Sequence, residues 1–201
     1  LGQGESVYAV ASPRSAARWL LSTYLPDVIE DARVALELAS RAEVLAKDAG
    51  IDPVSGLPSH GTLSRLVARL KPGDAIVAVD VDWDRFPGSG TAHGDQEIVR
   101  AFARDLRKAA RATEFCCRSG GGEFVALLNE PGSEGAFKLL GRLQDHWVKR
   151  PQAIPHTFSG GIATIDDRGW RPAIQAADRA LRRSQKTGDC WEAAQPEDYE
   201  S

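Results

Sequence analysis

Arg118-Ser119-Gly120-Gly121-Gly122-Glu123-Phe124 decides the reading of this 201-residue chain. The stretch lies between two apolar segments, and Glu123-Phe124 opens the run Val125-Ala126-Leu127-Leu128. Consecutive glycines permit positive φ and let a large ligand approach the backbone, so the segment reads as the tip of a β-hairpin. Glu123 at such a tip is placed to face a ligand or a metal.

Outward from the hairpin, helical and strand patterns alternate. Residues 61–70 read as a helix and Lys71-Pro72-Gly73-Asp74 as a turn. Ala75-Ile76-Val77-Ala78-Val79 is a continuous apolar run, the mark of a strand buried on both faces. Residues 95–112 form an amphipathic helix with Ile98, Val99, Phe102, Leu106 and Ala109 on one side. Strands follow at 115–118 and 124–128, then a helix at 134–148, a strand at 157–164 and a helix at 171–186. The order βαββαβ plus a final helix predicts an α/β (α+β) domain with a ferredoxin-like mixed sheet flanked by helices. Residues 192–201 read as a frayed acidic tail.

Ahead of this domain, Ser12-Pro13 starts a short helix carrying Trp19, Leu20, Tyr24 and Leu25, which Pro26 is expected to break. From Asp27 onward, Val28, Asp31, Ala35, Leu38, Ala42, Leu45 and Ala49 alternate spacings of three and four. That is the period of a coiled-coil seam, which pairs two subunits, or of a helix packed on its own domain. The expected division is a helical segment at 1–50, the sheet domain at 51–192 and the tail at 193–201.

Composition narrows the classes. With 42% hydrophobic and 26% charged residues, the chain buries one core plus an appendage. A net charge of −3 gives no bulk attraction to nucleic acid or anionic membrane. No apolar run approaches the roughly 20 residues needed to span a bilayer, so no membrane contact is expected within these residues. The chain begins at Leu1 and contains no Met, which reads as a fragment of a longer protein or an edited sequence, and its cysteine usage fits a reducing cytoplasm. Three cysteines, two of them adjacent, argue against a disulfide framework, and the four histidines lack zinc-ligand spacing.

Read together, the motifs resemble the GGDEF family, diguanylate cyclases that condense two GTP into cyclic di-GMP. Asp52-Pro53-Val54-Ser55-Gly56-Leu57-Pro58-Ser59 is similar to its D-x-L-T-G-L-P-N turn, and Asp80-Val81-Asp82-Trp83-Asp84-Arg85-Phe86 to its D-x-D-x-F-K strand end. Gly94-Asp95, Ser159-Gly160-Gly161-Ile162-Ala163 and Ala177-Asp178-Arg179-Ala180-Leu181 match further family segments, in family order. The resemblance implies a nucleotide-cyclase-like fold, Asp80 as a metal ligand, and Glu123 with position 122 as the catalytic carboxylates. It also implies Gly120, Gly121 and Asp95 as nucleotide contacts.

The chain departs from the family where its chemistry needs charge. Gly122 stands where the family has Asp or Glu. The loop 87–93 has no Asn for guanine, and Gln185 and Asp189 replace a Lys and an Arg that face the triphosphate. These losses remove charge-assisted hydrogen bonds and add repulsion towards phosphate. Mg²⁺ is therefore expected only if the nucleotide site is functional. Arg111-Ala112-Thr113-Glu114 is similar to the family's R-x-x-D inhibitory site for cyclic di-GMP, and Arg142 falls where a further arginine binds that ligand. The expectation is a degenerate, inactive GGDEF domain acting as a regulatory or ligand-sensing module, with cyclic di-GMP or GTP as ligand and a homodimer through the N-terminal helix. The alternatives are a weakly active cyclase and a docking domain without ligand.

Overall fold

The computed structural model describes residues 13–82, 92–129, 132–149 and 157–200. The chain divides into two compact units, Leu1–Leu45 and Ala46–Ser201. The first is built on α1, Pro13–Asp48, which runs through Pro26 rather than breaking there. Proline removes one backbone donor and crowds the preceding turn, a local loss that a 36-residue helix absorbs. Glu30–Arg33 at 2.7 Å and Glu37–Arg41 at 2.6 Å are helical-spacing ion pairs that support it from outside. Val28 and Leu38 of the expected seam are 59% and 60% exposed, part of an apolar stripe on α1. The side chains of Ala42 and Leu45 lie outside the described residues.

The second unit holds α2 (His60–Val67), β1 (Ala75–Val81), α3 (Ala92–Ala109), β2 (Phe115–Gly120), β3 (Glu123–Leu128), α4 (Ser133–Val148), β4 (Phe158–Thr164), α5 (Trp170–Thr187) and β5 (Trp191–Ala193). The sheet order is β2-β3-β1-β4-β5, antiparallel throughout except for β4 and β5. This is the expected mixed α+β sheet flanked by helices. Strand alternation sorts its side chains into two cores. Val77, Val79, Phe124 and Leu128 meet α3 and α4 on one face, while Ile76, Leu127 and Ala163 meet α2 and α5 on the other. Phe102 of α3 anchors the first core, with ring centroids 5.0 Å from both Phe124 and Trp147. Cys116 and Cys117 fall on opposite faces, and burial pushes their thiols up to about 12 and about 11, so neither is a nucleophile near neutral pH.

α5 lies directly on β4. A Cβ on Gly161 would sit 2.1 Å from the Ala177 carbonyl oxygen and 2.3 Å from the Leu181 nitrogen, both backbone atoms. Residues 192–200 are docked rather than frayed, which corrects the sequence expectation. β5 pairs with β4, a 3₁₀ turn follows at Pro196–Tyr199, and Asp198 is buried. The Tyr199 hydroxyl donates to the Thr164 carbonyl at 2.8 Å and accepts the Thr164 N–H at 2.9 Å. Arg183 meanwhile bonds both Asp198 and Glu192. Acidic composition suggested a solvated tail, whereas Glu192 and Asp198 are paired with Arg183 of the preceding helix.

Because α5 cannot retreat without exposing the second core, Gly161→Ala should cost about 3 kcal/mol, the upper end of the overpacking range. Urea unfolding followed by tryptophan fluorescence measures it, and a loss below roughly 1 kcal/mol would show that the helix shifts freely.

Candidate functional site

The hairpin forms as the glycines require. Gly120 and Gly121 take φ of +150° and +50°, whereas Gly122 is not in the left-handed region and its lack of a side chain is no backbone necessity. One guanidinium fixes the tip. Arg118 Nη1 donates to both Asp52 carboxylate oxygens at 3.0 and 3.1 Å, and its Nε and Nη2 donate to the Gly121 carbonyl at 3.1 and 2.7 Å. Burial alone would raise the Asp52 pKa, but the hydrogen bonds from Ser55 and Arg118 outweigh it and leave the carboxyl below its ordinary value. The turn at 52–57 is thereby locked to the hairpin, with the Arg118 N–H donating to the Pro58 carbonyl at 2.9 Å.

Beneath the tip, the ladder sets Glu123 of β3 directly opposite Asp80 of β1. Asp82, two residues on, shares the face of Asp80. Gly122 takes part only through its backbone, its carbonyl accepting the Val81 N–H at 3.2 Å. From α5, Gln185 Nε2 donates to Asp80 Oδ2 at 2.7 Å, joining residues 105 apart in sequence. Asp82 is satisfied separately, by Thr157 Oγ1 at 2.9 Å and Ser159 Oγ at 3.0 Å. Burial, then repulsion from Glu123 and Asp82, raises the Asp80 pKa from 3.8 to about 6, against the lowering effect of Gln185. Among the described residues, no group of three or more His, Cys, Asp or Glu is arranged to hold a metal ion. Asp95 lies in the first turn of α3. The loop expected to meet guanine lies largely outside the described residues. Asp189 follows the end of α5 with φ of +49°.

Arg111, Glu114 and Arg142 come together at the other end of β2. That strand has six residues, so roughly 17–20 Å of extended chain separates this group from the hairpin. The Glu114 side chain is 1% exposed and turned inward, where it accepts Arg142 Nη2 at 3.2 Å and the Arg111 N–H at 2.7 Å. Arg142 Nε also donates to the Ala109 carbonyl at 2.7 Å. A cavity of about 330 Å³ opens beside the turn, lined by Arg107, Arg111, Glu114 and Phe115 among others. Arg107, Thr157 and the bonds from Gln185 to Asp80 and from Ser159 to Asp82 escaped the sequence reading. No local pattern marks them, since each is defined by a partner in a distant element.

The family described as "Diguanylate cyclase, GGDEF domain" matches residues 49–190. Diguanylate cyclase DgcP of Pseudomonas aeruginosa is 31% identical over 154 residues, 68% of this chain and 22% of that protein. Response regulator PleD of Caulobacter vibrioides is 27% identical over 154 residues, 68% of this chain and 34% of its own length. The chain thus spans between about a fifth and a third of these relatives. Among solved structures, diguanylate cyclase SiaD from P. aeruginosa, in complex with its activator SiaC, superposes with a TM-score of 0.64 at 21% identity, covering 90% of this chain and 80% of that one. The coiled coil and GGDEF domain of DgcB from Caulobacter crescentus, in complex with c-di-GMP, gives 0.64 at 19% identity, covering 86% and 100%. At these identities the likeness concerns the fold.

The raised Asp80 pKa has a measurable sign. Between roughly pH 4 and about 6 the folded chain holds a proton that the unfolded chain has released, so stability falls as pH rises through that window. Asp80→Asn should flatten the slope and, with solvent screening discounted, stabilise the protein near neutral pH by on the order of 1 kcal/mol. Urea titrations of parent and variant across the window test this; equal slopes would assign the dependence to another group.

Proposed function

We propose, from the premise that the chain belongs to the GGDEF family of diguanylate cyclase domains, that it is a degenerate member that does not condense GTP and serves as a regulatory or cyclic di-GMP-sensing module. The 2.7 Å hydrogen bond from Gln185 to Asp80 carries this reading. Metal-assisted phosphoryl transfer needs carboxylates free to clamp cations and positive groups facing the triphosphate. Here a neutral amide engages the carboxylate at the metal position, position 122 offers no side chain, and Asp189 stands where the resemblance implies a cation. Glu123 remains opposite Asp80, and their repulsion favours a proton on Asp80 over a triphosphate nearby. This donor set does not fit magnesium, so no reaction step is assigned through the metal.

The Arg111, Glu114 and Arg142 group is the ligand surface in this reading. Glu114 acts from within, orienting Arg142 and closing the 111–114 turn, while Arg111 and Arg107 line the cavity, Arg107 also donating to the Gly56 carbonyl at 2.7 Å; guanidinium groups are suited to phosphate and to base stacking. Calorimetry of the purified chain with GTP plus Mg²⁺ and with cyclic di-GMP, alongside a product assay, tests both halves. No cyclic di-GMP should form, and Gly122→Asp alone should not restore synthesis. Arg111→Ala should weaken cyclic di-GMP binding about tenfold or more, and Asp80→Ala should leave it unchanged. Product formation that Asp80→Ala silences would make the chain a weak cyclase. Absence of any binding would leave a docking domain.

In the same reading, the exposed stripe of α1 pairs two chains in parallel. Val28→Glu with Leu38→Glu should shift the particle towards monomer by light scattering. A parent that is already monomeric at micromolar concentration removes the proposal.

A further inference from the structure

The face of the sheet shared by α2 and α5 is incompletely covered. α2 has eight residues, about 12 Å of helix, and between it and α5 the floor is Ile76 and Ala78 of β1 with Val125 of β3. Ala78 and Val125 sit mid-strand in an inner pair of strands yet remain partly exposed. In a sheet flanked by helices, such positions are normally sealed. The gap is a cavity of about 460 Å³, with Leu63 and Val67 on one wall and Ile174 and Leu181 on the other. Its volume and predominantly apolar lining are those of a small-molecule site.

Its polar end is acidic. The cavity reaches Ser119 and Glu123 beneath the hairpin, and His60, Gln175 and Asp178 also border it. Asp178 is already paired with Arg182 at 3.0 Å. Among the described residues, the Glu123 carboxylate has no ion pair or hydrogen bond, and Asp80 faces it across the ladder. Apolar floor and walls with an unneutralised carboxylate at one end are complementary to an apolar body bearing a cation, and repel a phosphate or carboxylate of the same size.

We propose that this cavity binds a small organic amine, its fused-ring or similar apolar body lying over Ala78 and Val125 and its ammonium group meeting Glu123. The cavity shares Glu123 with the carboxylates beneath the hairpin, lies away from the Arg111 surface, and is argued from its own lining whether or not the hairpin takes a nucleotide.

The test is a titration of the isotope-labelled full chain, followed by backbone amide NMR, with two probes that share one ring system: 2-(1-naphthyl)ethylamine and 1-naphthylacetate. The amine should move the Ala78 and Val125 amide signals and bind about tenfold tighter than the acetate, as expected for one charge-assisted contact. Glu123→Gln should shrink that ratio to roughly threefold or less by weakening the amine alone. Ala78→Leu fills the floor and should weaken the amine about tenfold while the amide spectrum stays dispersed. Should that variant not fold, Ile174→Phe narrows the same space from the wall. Equal affinity for the two probes, no shifts at millimolar amine, or unaltered binding in a folded filled variant overturns the proposal.

Discussion

The close seating of α5 on β4 is the constraint on which this molecule depends. Gly161 lets the helix backbone approach the strand to a distance that excludes a Cβ at that position. That proximity buries Ala173, Ala176, Ala177 and Ala180, small residues that would fill little space around a more distant helix. It also carries the last turn of α5 over the end of β1, where Gln185 reaches Asp80. The chemistry beneath the hairpin is therefore set partly by a packing decision made one strand away.

Two polar centres on this domain meet their electrostatic needs differently. At the end of β2, Glu114 is almost fully buried, yet Arg142 and a backbone N–H satisfy it, so its charge is supported. Beneath the hairpin, Asp80, Asp82 and Glu123 share one face; Gln185 and two hydroxyls supply dipoles but no net charge. Asp80 answers by binding its proton more tightly. A guanidinium is close by in sequence, but Arg118 is spent on Asp52 and Gly121, holding the tip rather than serving the carboxylates.

Local sequence revealed what local physics determines. The apolar run at 75–79 and the strands around the glycines are legible because strand burial is written residue by residue, whereas the register that sets Glu123 opposite Asp80 joins β3 to β1 across an intervening helix and strand. Positive φ at Gly120 and Gly121 follows from the tight turn. Interactions between distant elements were not legible. The bond from Gln185 to Asp80 spans 105 residues, and the docking of the C-terminal segment depends on Tyr199 meeting Thr164 and Arg183 meeting Asp198. Pro26 misled because a proline signals a helix end statistically, while a long helix tolerates the loss of one bond. The Arg-x-x-Glu spacing placed Arg111 and Glu114 together in sequence but did not show that the carboxylate points inward.

The docked C-terminal segment has a further consequence for behaviour in a crowded solution. A sheet of five strands has two flanks, each able to recruit a foreign strand by backbone pairing. Here β5 is only three residues long and is followed by Pro196, which offers no N–H, while on the opposite flank Ser59 bridges Arg118 along part of β2. Both flanks are thus shortened or partly occupied by the chain itself. The same residues that clasp α5 and lock the hairpin also guard the folded domain against polymerising strand upon strand.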